Sequence, residues 1–89
     1  MPSHLKDNLH LVEMERIRQN HLWGEQNHSP ETWLAILIEE VGEVGKAIQE
    51  ARFRGEGWAN YREELVQVAA VAVAMLESHD RDYERAAID

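Results

Sequence analysis

The chain has 89 residues, of which 44 % are hydrophobic and 29 % are charged, and its formal net charge is −8. A chain of this length can form one domain with a small core, so we expect residues 1–89 to be a single domain. Domains of this size are marginally stable alone and often form oligomers. The acidic balance argues against polymeric nucleic acid as a partner, because affinity for a duplex comes mainly from Lys and Arg on phosphates. Since the chain has no cysteine, a disulfide framework and a thiolate zinc site are both excluded.

The sequence gives no sign of a membrane partner. Its first residues lack the apolar run of a signal peptide, and no stretch reaches the ~18 apolar residues that a bilayer span requires. We therefore expect a cytoplasmic protein.

The first predicted helix extends from about Ser3 to Trp23. Ser3 is a suitable N-cap, a narrow apolar stripe repeats at helical spacing, and Gly24 is a natural stop. The connection that follows carries an amide and an imidazole, in Gln26 and His28. Such connections are usually plain surface loops, although they are also where binding groups tend to lie.

The second predicted helix covers residues 30–54 and has a strong start signal. Ser29 supplies an N-cap and Pro30 occupies the first helical position. Gly42 and Gly45 lie inside this helix, where each costs roughly 0.5–1 kcal/mol relative to alanine. Small residues at these positions either allow another helix or a ligand to approach the backbone, or simply mark tight packing.

A third helix is predicted from about Tyr61 to Ser78, and Asn60 with Glu63 resembles a capping box. Its segment 65–76 is apolar around the whole circumference, apart from one glutamine. Such a helix must be buried on all sides, and two other helices of a small chain cannot easily surround it. The alternative is a continuous β-strand, since valine favours sheet, but the interspersed alanines, the length and the cap favour a helix.

The predicted fold class is therefore all-α, with three long helices and a short C-terminal helix. Asp80 would cap this last helix, which would end near Ile88. A two-fold dimer whose long helices form a shared four-helix bundle would bury the apolar third helix. We expect a homodimer or a dimer of dimers.

The second predicted helix contains a five-residue stretch with three glutamates: Glu39, Glu40 and Glu43. At about 100° per residue they occupy one arc of roughly 100°, beside the apolar face. Like charges at this spacing repel, and the repulsion grows as the effective dielectric falls near a core. Either a cation, most simply a divalent metal ion, lies among them, or they form a solvated acidic face.

Glu64 and Gln67 follow at the entrance to the apolar helix and share one face. In an antiparallel helix pair they would meet the first acidic set. Counting from Gly57 at the middle of the turn, however, places Glu43 and Glu64 roughly 10 Å apart along the helix axes. Oxygen-only ligands favour a hard cation such as Mg²⁺, which binds through a few carboxylates together with substrate phosphates.

The order Glu39-Glu40-x-x-Glu43, a gap of 20 residues, then Glu64-x-x-Gln67 resembles the acidic signature of the all-α nucleoside triphosphate pyrophosphohydrolases, the MazG-like superfamily. That signature reads Glu-Glu-x-x-Glu, a variable gap, then Glu-x-x-Asp. The resemblance covers most of the chain and includes the predicted order of helices and acids.

The resemblance implies a metal-dependent hydrolase. By position, Glu40, Glu43 and Glu64 match ligands of Mg²⁺, and Glu39 matches an additional acid that helps to bind metal or acts as the base for water. The implied reaction converts a nucleoside triphosphate into the monophosphate and pyrophosphate. Gln67 stands where the family has aspartate; its amide oxygen can still ligate a metal, but it brings no charge and cannot act as a base.

Further side chains are candidates for nucleotide binding. Stacking on Trp23 and amide pairing by Gln26 are one way to hold a base, and the alternative is a hydrophobic lid beside plain surface residues. Lys46 either meets a phosphate or pairs with Glu43 in its own helix. Beside the turn, the aromatic side chains of Trp58 and Tyr61 either close the pocket or pack in the core. The complete set is Trp23, Gln26, His28, Lys46, Trp58 and Tyr61.

The leading hypothesis is thus a Mg²⁺-dependent pyrophosphohydrolase whose partner is a small-molecule nucleotide, either an NTP or a dNTP. The alternative is a catalytically weakened or inactive relative that serves as a nucleotide-binding or protein-interaction module, which Gln67 keeps open. A third reading is a purely structural helical oligomer.

Overall fold

The computed structural model of the chain describes residues 3–88, and the side chains of residues 3–86. This part of the chain contains three α-helices and no strand. They are α1 (His4–Trp23), α2 (Pro30–Phe53) and α3 (Ala59–Ile88). The predicted all-α class is confirmed.

The ends of α1 and α2 follow from local sequence chemistry. The Ser3 hydroxyl accepts a hydrogen bond from the Lys6 amide at 3.2 Å, and the Ser29 hydroxyl accepts one from the Thr32 amide at 3.2 Å. Each hydroxyl satisfies an amide that the first helical turn leaves without a partner. At the other end of α1, Gly24 has a φ of 70°, a conformation that glycine adopts without steric cost.

The start of α3 differs from the prediction. The helix begins at Ala59, so Asn60 lies inside its first turn and the predicted capping box with Glu63 is wrong. The first turn closes instead on the backbone of the preceding residue, because the Arg62 amide donates to the Trp58 carbonyl at 3.2 Å.

The separate C-terminal helix is also wrong, because α3 is continuous through Asp80. Residues 77–88 contain neither glycine nor proline, and an aspartate costs a helix interior too little to end it. Two contacts favour continuation: Ser78 is buried with only 1 % of its surface exposed, and Arg81 bonds the connection that precedes α2.

The core lies where α2 crosses α3. Trp33 of α2 is 5 % exposed and packs with Val71 and Ala74 of α3. Ile36, Leu37 and Met75 pack against this cluster. Within residues 3–88, α3 contacts both α1 and α2, whereas α1 and α2 do not contact each other.

This core sets the register of the two helices. Trp33 packs with both Val71 and Ala74, and the helices run antiparallel on either side of a short turn. Ten residues further along α2 and ten residues back along α3 lie Glu43 and Glu64. Equal steps along two antiparallel helices end at the same level, so the two acids lie closer in height than a count from Gly57 predicts.

A single chain leaves much apolar surface uncovered. The radius of gyration is 15.4 Å, compared with about 12 Å for a compact domain of this length. On α2, Leu34, Ile38 and Val41 are each more than half exposed. A Cβ added at Gly42 or Gly45 would meet nothing within 4 Å, so no other element of the described chain makes the close approach that these glycines allow.

No helix within residues 3–88 combines the length and the hydropathy that crossing a membrane requires.

Candidate acidic site

Glu40 is the centre of the acidic residues. Its side chain is half-buried on the face of α2 that meets α3. Burial raises the pKa of this carboxyl, and the negative charges of Glu64, Glu43 and Glu39 raise it further, in that order. Glu64, on the other helix, has a larger effect than either acid of α2. The two halves of the acidic motif are therefore brought together in space.

These four acids lack the partners that other carboxylates of the chain have. Over residues 3–88, no lysine, arginine or histidine forms an ion pair with Glu39, Glu40, Glu43 or Glu64. Elsewhere, cations do pair with acids, in Arg16–Glu77, Arg18–Glu15, Lys46–Glu50, Arg81–Glu25 and Arg85–Asp82. The acidic site thus holds negative charge that no side chain of the described chain neutralises.

The chemistry of this donor set fits a hard cation, because all of its donors are carboxylate oxygens. The four glutamate side chains lie farther apart than the ligands of one bound metal ion do. No three carboxylate or imidazole groups in the described chain come as near to one another as the ligands of one metal ion do. Binding a metal ion therefore requires the flexible glutamate side chains to rotate towards one another, and the charge of the ion would offset the repulsion that this approach increases.

Glu15 of α1 is an acid that sequence reasoning missed. It is 8 % exposed, and both of its oxygens accept from Arg18 Nε, at 2.5 and 3.0 Å. The hydrogen bond from Arg18 holds the pKa of Glu15 below its ordinary value, with a further contribution from Gln67. The Glu15 charge also contributes to the raised pKa of Glu40. Its spacing from Arg18 predicts a helix pair, but nothing in the sequence shows that this pair is turned inward.

Gln67 is half-buried on α3 and engages α1. Its Oε1 atom accepts from Gln19 Nε2 at 3.4 Å, and its side chain contributes to the lowered pKa of Glu15. Gln67 thus links α1 to the part of α3 that carries Glu64.

The connection between α1 and α2 is tied to α3 by Arg81. Arg81 Nη2 donates to the Gln26 carbonyl oxygen at 3.1 Å, so it is the backbone of Gln26 that is held. Trp23, at the end of α1, is 58 % exposed. His28 lies edge-on to Trp33, with 4.8 Å between the ring centroids.

An apolar groove of about 530 Å³ lies beside this histidine. Its walls include His28, Trp33, Leu37, Met75 and Ser78. The buried Trp33 Nε1 atom has no hydrogen-bond acceptor among residues 3–88. Trp33 precedes Glu40 by about two helical turns, or roughly 10 Å.

Of the candidates near the α2–α3 turn, Lys46 and Trp58 are exposed and Tyr61 is half-buried. Lys46 Nζ lies 4.0 Å from Glu50 Oε1, so the predicted pair with Glu43 is wrong. Trp58 is 45 % exposed and therefore not a core residue. It lies edge-on to Tyr61 at 5.4 Å, and the Arg52 guanidinium stands 5.2 Å from the centre of its ring.

Comparisons of the chain with protein-family models, with curated proteins and with solved structures find no match. The likeness to MazG-like enzymes therefore depends on the acidic motif and on the order of the helices.

Proposed function

We propose that this protein is a Mg²⁺-dependent nucleoside triphosphate pyrophosphohydrolase that releases a nucleoside monophosphate and pyrophosphate. The observation that carries the proposal is the set of glutamates without cationic partners around half-buried Glu40, whose pKa is raised by burial and then by Glu64. Unneutralised carboxylates near a core are costly unless a cation pairs with them. A metal ion carrying a triphosphate would supply that cation.

Glu40, Glu43 and Glu64 are the proposed metal-holding residues. Ligation by Gln67 stays a prediction, since its amide is hydrogen-bonded to α1. A bound Mg²⁺ would supply neutralisation of phosphate charge and acidification of water. Glu39 lies at the exposed edge of the cluster, where its carboxylate can take the proton of the attacking water.

The proposed reaction is an in-line displacement at the α-phosphorus. The water oxygen forms a bond to this phosphorus, the bond from the phosphorus to the α–β bridging oxygen breaks, and pyrophosphate leaves with that oxygen. The proton from water passes to the carboxylate. The products are therefore one monophosphate and one pyrophosphate for each water consumed.

The groove beside Trp33 is the proposed place for the nucleoside. It lies about two helical turns from Glu40, a span that suits a base at one end and phosphates at the other. The Trp33 N–H without an acceptor would be satisfied by an acceptor on the base, and His28 lines the same groove. Contact of Trp23 and Gln26 with the base stays a prediction, whereas Lys46, Trp58 and Tyr61 would meet the phosphate end.

A homodimer or a dimer of dimers in the cytoplasm is part of the proposal. Its support is the uncovered apolar face of α2 at Leu34, Ile38 and Val41, together with Leu65 and Leu76 on α3. A second copy that packs its own helices there would complete a four-helix bundle and bury the rest of the apolar α3.

The direct test is to incubate the purified protein with a panel of canonical and modified NTPs and dNTPs in Mg²⁺ and to assay pyrophosphate. We expect turnover with at least one nucleotide. No turnover with any of them, in protein shown to be folded, would defeat the enzyme proposal.

A matched set of variants tests the placement of the metal. Glu40→Gln and Glu64→Gln should each abolish pyrophosphate release while the oligomer persists. Glu56→Gln, at an exposed position in the turn, removes the same charge and should keep the wild-type rate. Wild-type rates in both of the first two variants would contradict the metal placement.

The second candidate is a catalytically weakened or inactive relative that binds nucleotide or a protein partner. The observation that favours it is Gln67, which brings no charge to the site. Mg²⁺-dependent nucleotide binding by calorimetry, with no pyrophosphate release from any nucleotide of the panel, would identify this alternative.

A further inference from the structure

The groove beside Trp33 combines apolar walls with one buried donor. The Trp33 side chain is 5 % exposed, and its Nε1 atom is covered and has no acceptor in the described part of the chain. An indole N–H can only donate, so leaving it buried without a partner carries a cost that phenylalanine would avoid at this position. The apolar part of the walls is formed by Pro30, Leu37, Ala72, Met75 and Leu76.

The polar side chains at the rim of the groove are engaged elsewhere or open to water. Asp82 is exposed and pairs with Arg85 at 3.4 Å, and His79 is exposed as well. His28 stands edge-on to Trp33, on the connection between α1 and α2. A group that enters the groove therefore gains most when it offers an acceptor to Trp33 and apolar surface to the walls.

The distance between the groove and the acidic site determines which edge of a base would meet Trp33. Trp33 and Glu40 lie about two helical turns apart, so phosphates held near Glu40 would leave the base with its far edge at Trp33. The far edge is the one opposite the bond to the sugar. There thymine, uracil, guanine and hypoxanthine carry an oxo group, which accepts, whereas cytosine and adenine carry an amino group, which donates.

We infer that Trp33 is a specificity-determining residue that selects nucleotides with an oxo group at this edge of the base over those with an amino group, an inference that rests on the proposed function. An oxo group accepts the Trp33 N–H. An amino group places a second donor against it. If the base shifts so that its ring nitrogen accepts instead, the amine lies against apolar side chains without a partner.

The base must displace a neighbouring side chain to reach Nε1, because this atom is covered. His28 contacts the Trp33 ring and lies on a connection instead of a helix, so it is the neighbour that moves most easily.

Two matched pairs of nucleotides test the selection: dTTP against 5-methyl-dCTP, and dITP against dATP. The members of each pair differ only at the far edge, where an oxo group beside a ring N–H replaces an amino group beside a ring acceptor. We expect kcat/KM for pyrophosphate release to be at least about tenfold higher for the oxo member of each pair, because the amino member leaves buried donors unpaired.

Two variants assign this selection to the N–H. In Trp33→Phe, which keeps an aromatic ring in the core, the ratio of kcat/KM within each pair should fall to near one. Met75→Leu alters the wall of the same groove at nearly constant volume and leaves the donor in place. Its ratios should stay at the wild-type values even where its rates change.

The indole N–H signals in a ¹⁵N–¹H NMR spectrum give a second measurement that needs no turnover. The chain has three tryptophans, and the signal that Trp33→Phe removes identifies Trp33. The α,β-imido analogue of dTTP, in which the bond to be broken is blocked, should move the Trp33 proton downfield when it binds with Mg²⁺. The corresponding analogue of 5-methyl-dCTP, at the same occupancy, should move it less.

The outcomes separate this inference from the proposed function. Equal kcat/KM within both pairs, or a preference that persists in Trp33→Phe, overturns the role of Trp33 and leaves the proposed function in place. A Trp33 signal that does not respond to the bound dTTP analogue overturns it too. A shifted Trp33 signal without turnover of any nucleotide supports the selection and defeats the enzyme proposal. The absence of both turnover and analogue binding counts against both.

Discussion

Replacing Glu40 by glutamine should make the metal-free protein more stable, although most substitutions destabilise. Glutamine has the same shape and can still form hydrogen bonds, so the change removes little besides the charge. That charge is half-buried, and the charges of Glu64, Glu43 and Glu39 oppose it. The substitution therefore relieves a repulsion that the folded chain carries and the unfolded chain does not.

The size of the gain can be worked out from the neighbours of Glu40. Glu43, three residues further along the same helix, contributes a few tenths of a kcal/mol. Glu64, across the helix pair at a partly buried position, contributes at least as much because water screens it less. Together they amount to about 1 kcal/mol, which corresponds to a rise in Tm of about 4–8 °C for a domain of this length.

The gain should depend on pH in a defined direction. Because the pKa of Glu40 is higher in the folded protein than in the unfolded chain, the folded state binds this proton more tightly. The stability that the protonated form contributes is complete below the ordinary glutamate pKa and is lost as pH rises through the raised pKa. The Tm difference between Glu40→Gln and wild type should therefore be small near about pH 4 and full at about pH 7.

Magnesium should reverse the order of the two proteins. At a Mg²⁺ concentration of about 100 times Kd, the wild type gains about 2.7 kcal/mol, more than the repulsion costs it. Glu40→Gln, which lacks one ligand charge, should gain much less. Thermal denaturation followed by circular dichroism, in EDTA and in Mg²⁺, measures both effects, with Glu56→Gln as the control of equal charge. A folded Glu40→Gln that is less stable than wild type in EDTA at pH 7, or equal stabilisation of both by Mg²⁺, would refute the reasoning.

The remaining predictions concern the core, the α1–α3 contact and the oligomer. Trp33→Ala should lower the free energy of unfolding, measured in urea, by about 3–5 kcal/mol. Trp33→Phe should lower it less, because phenylalanine fills most of the space and removes the N–H that has no acceptor. Equal losses in the two variants would contradict the role of the ring. Arg16→Ala should lower the free energy of unfolding by about 1–3 kcal/mol, because Arg16 is largely buried and hydrogen-bonds Glu77. Arg85→Ala should leave it almost unchanged, since the pair with Asp82 is exposed. Similar values for the two variants in urea unfolding would argue against the α1–α3 link. Ile38→Asp should convert a dimer into a folded monomer in sedimentation velocity, because Ile38 is 60 % exposed in the single chain; a wild-type protein that sediments as a monomer would exclude the proposed dimer.

Much of the helical organisation follows from sequence chemistry that acts over a few residues. Ser3, Ser29 and Gly24 mark helix ends in the structure as in the prediction, because a cap needs only its own turn. The error at Asp80 has the same origin: a good N-cap residue predicts a helix start, although the chain there makes tertiary contacts that favour one continuous α3.

In the acidic site, too, the sequence determines one part of the arrangement and the tertiary structure determines the other. That Glu39, Glu40 and Glu43 share a face was determined by the sequence alone, since the rotation per residue of a helix is nearly constant. Which acids meet across helices was decided by tertiary structure. The packing of Trp33 against Val71 and Ala74 sets the register that brings Glu64 near Glu40. The docking of α1 on α3 places Glu15 where its charge adds to the raised pKa of Glu40, and it engages Gln67. These contacts join residues far apart in the chain, so they depend on how side chains fill a shared core, which no local spacing records.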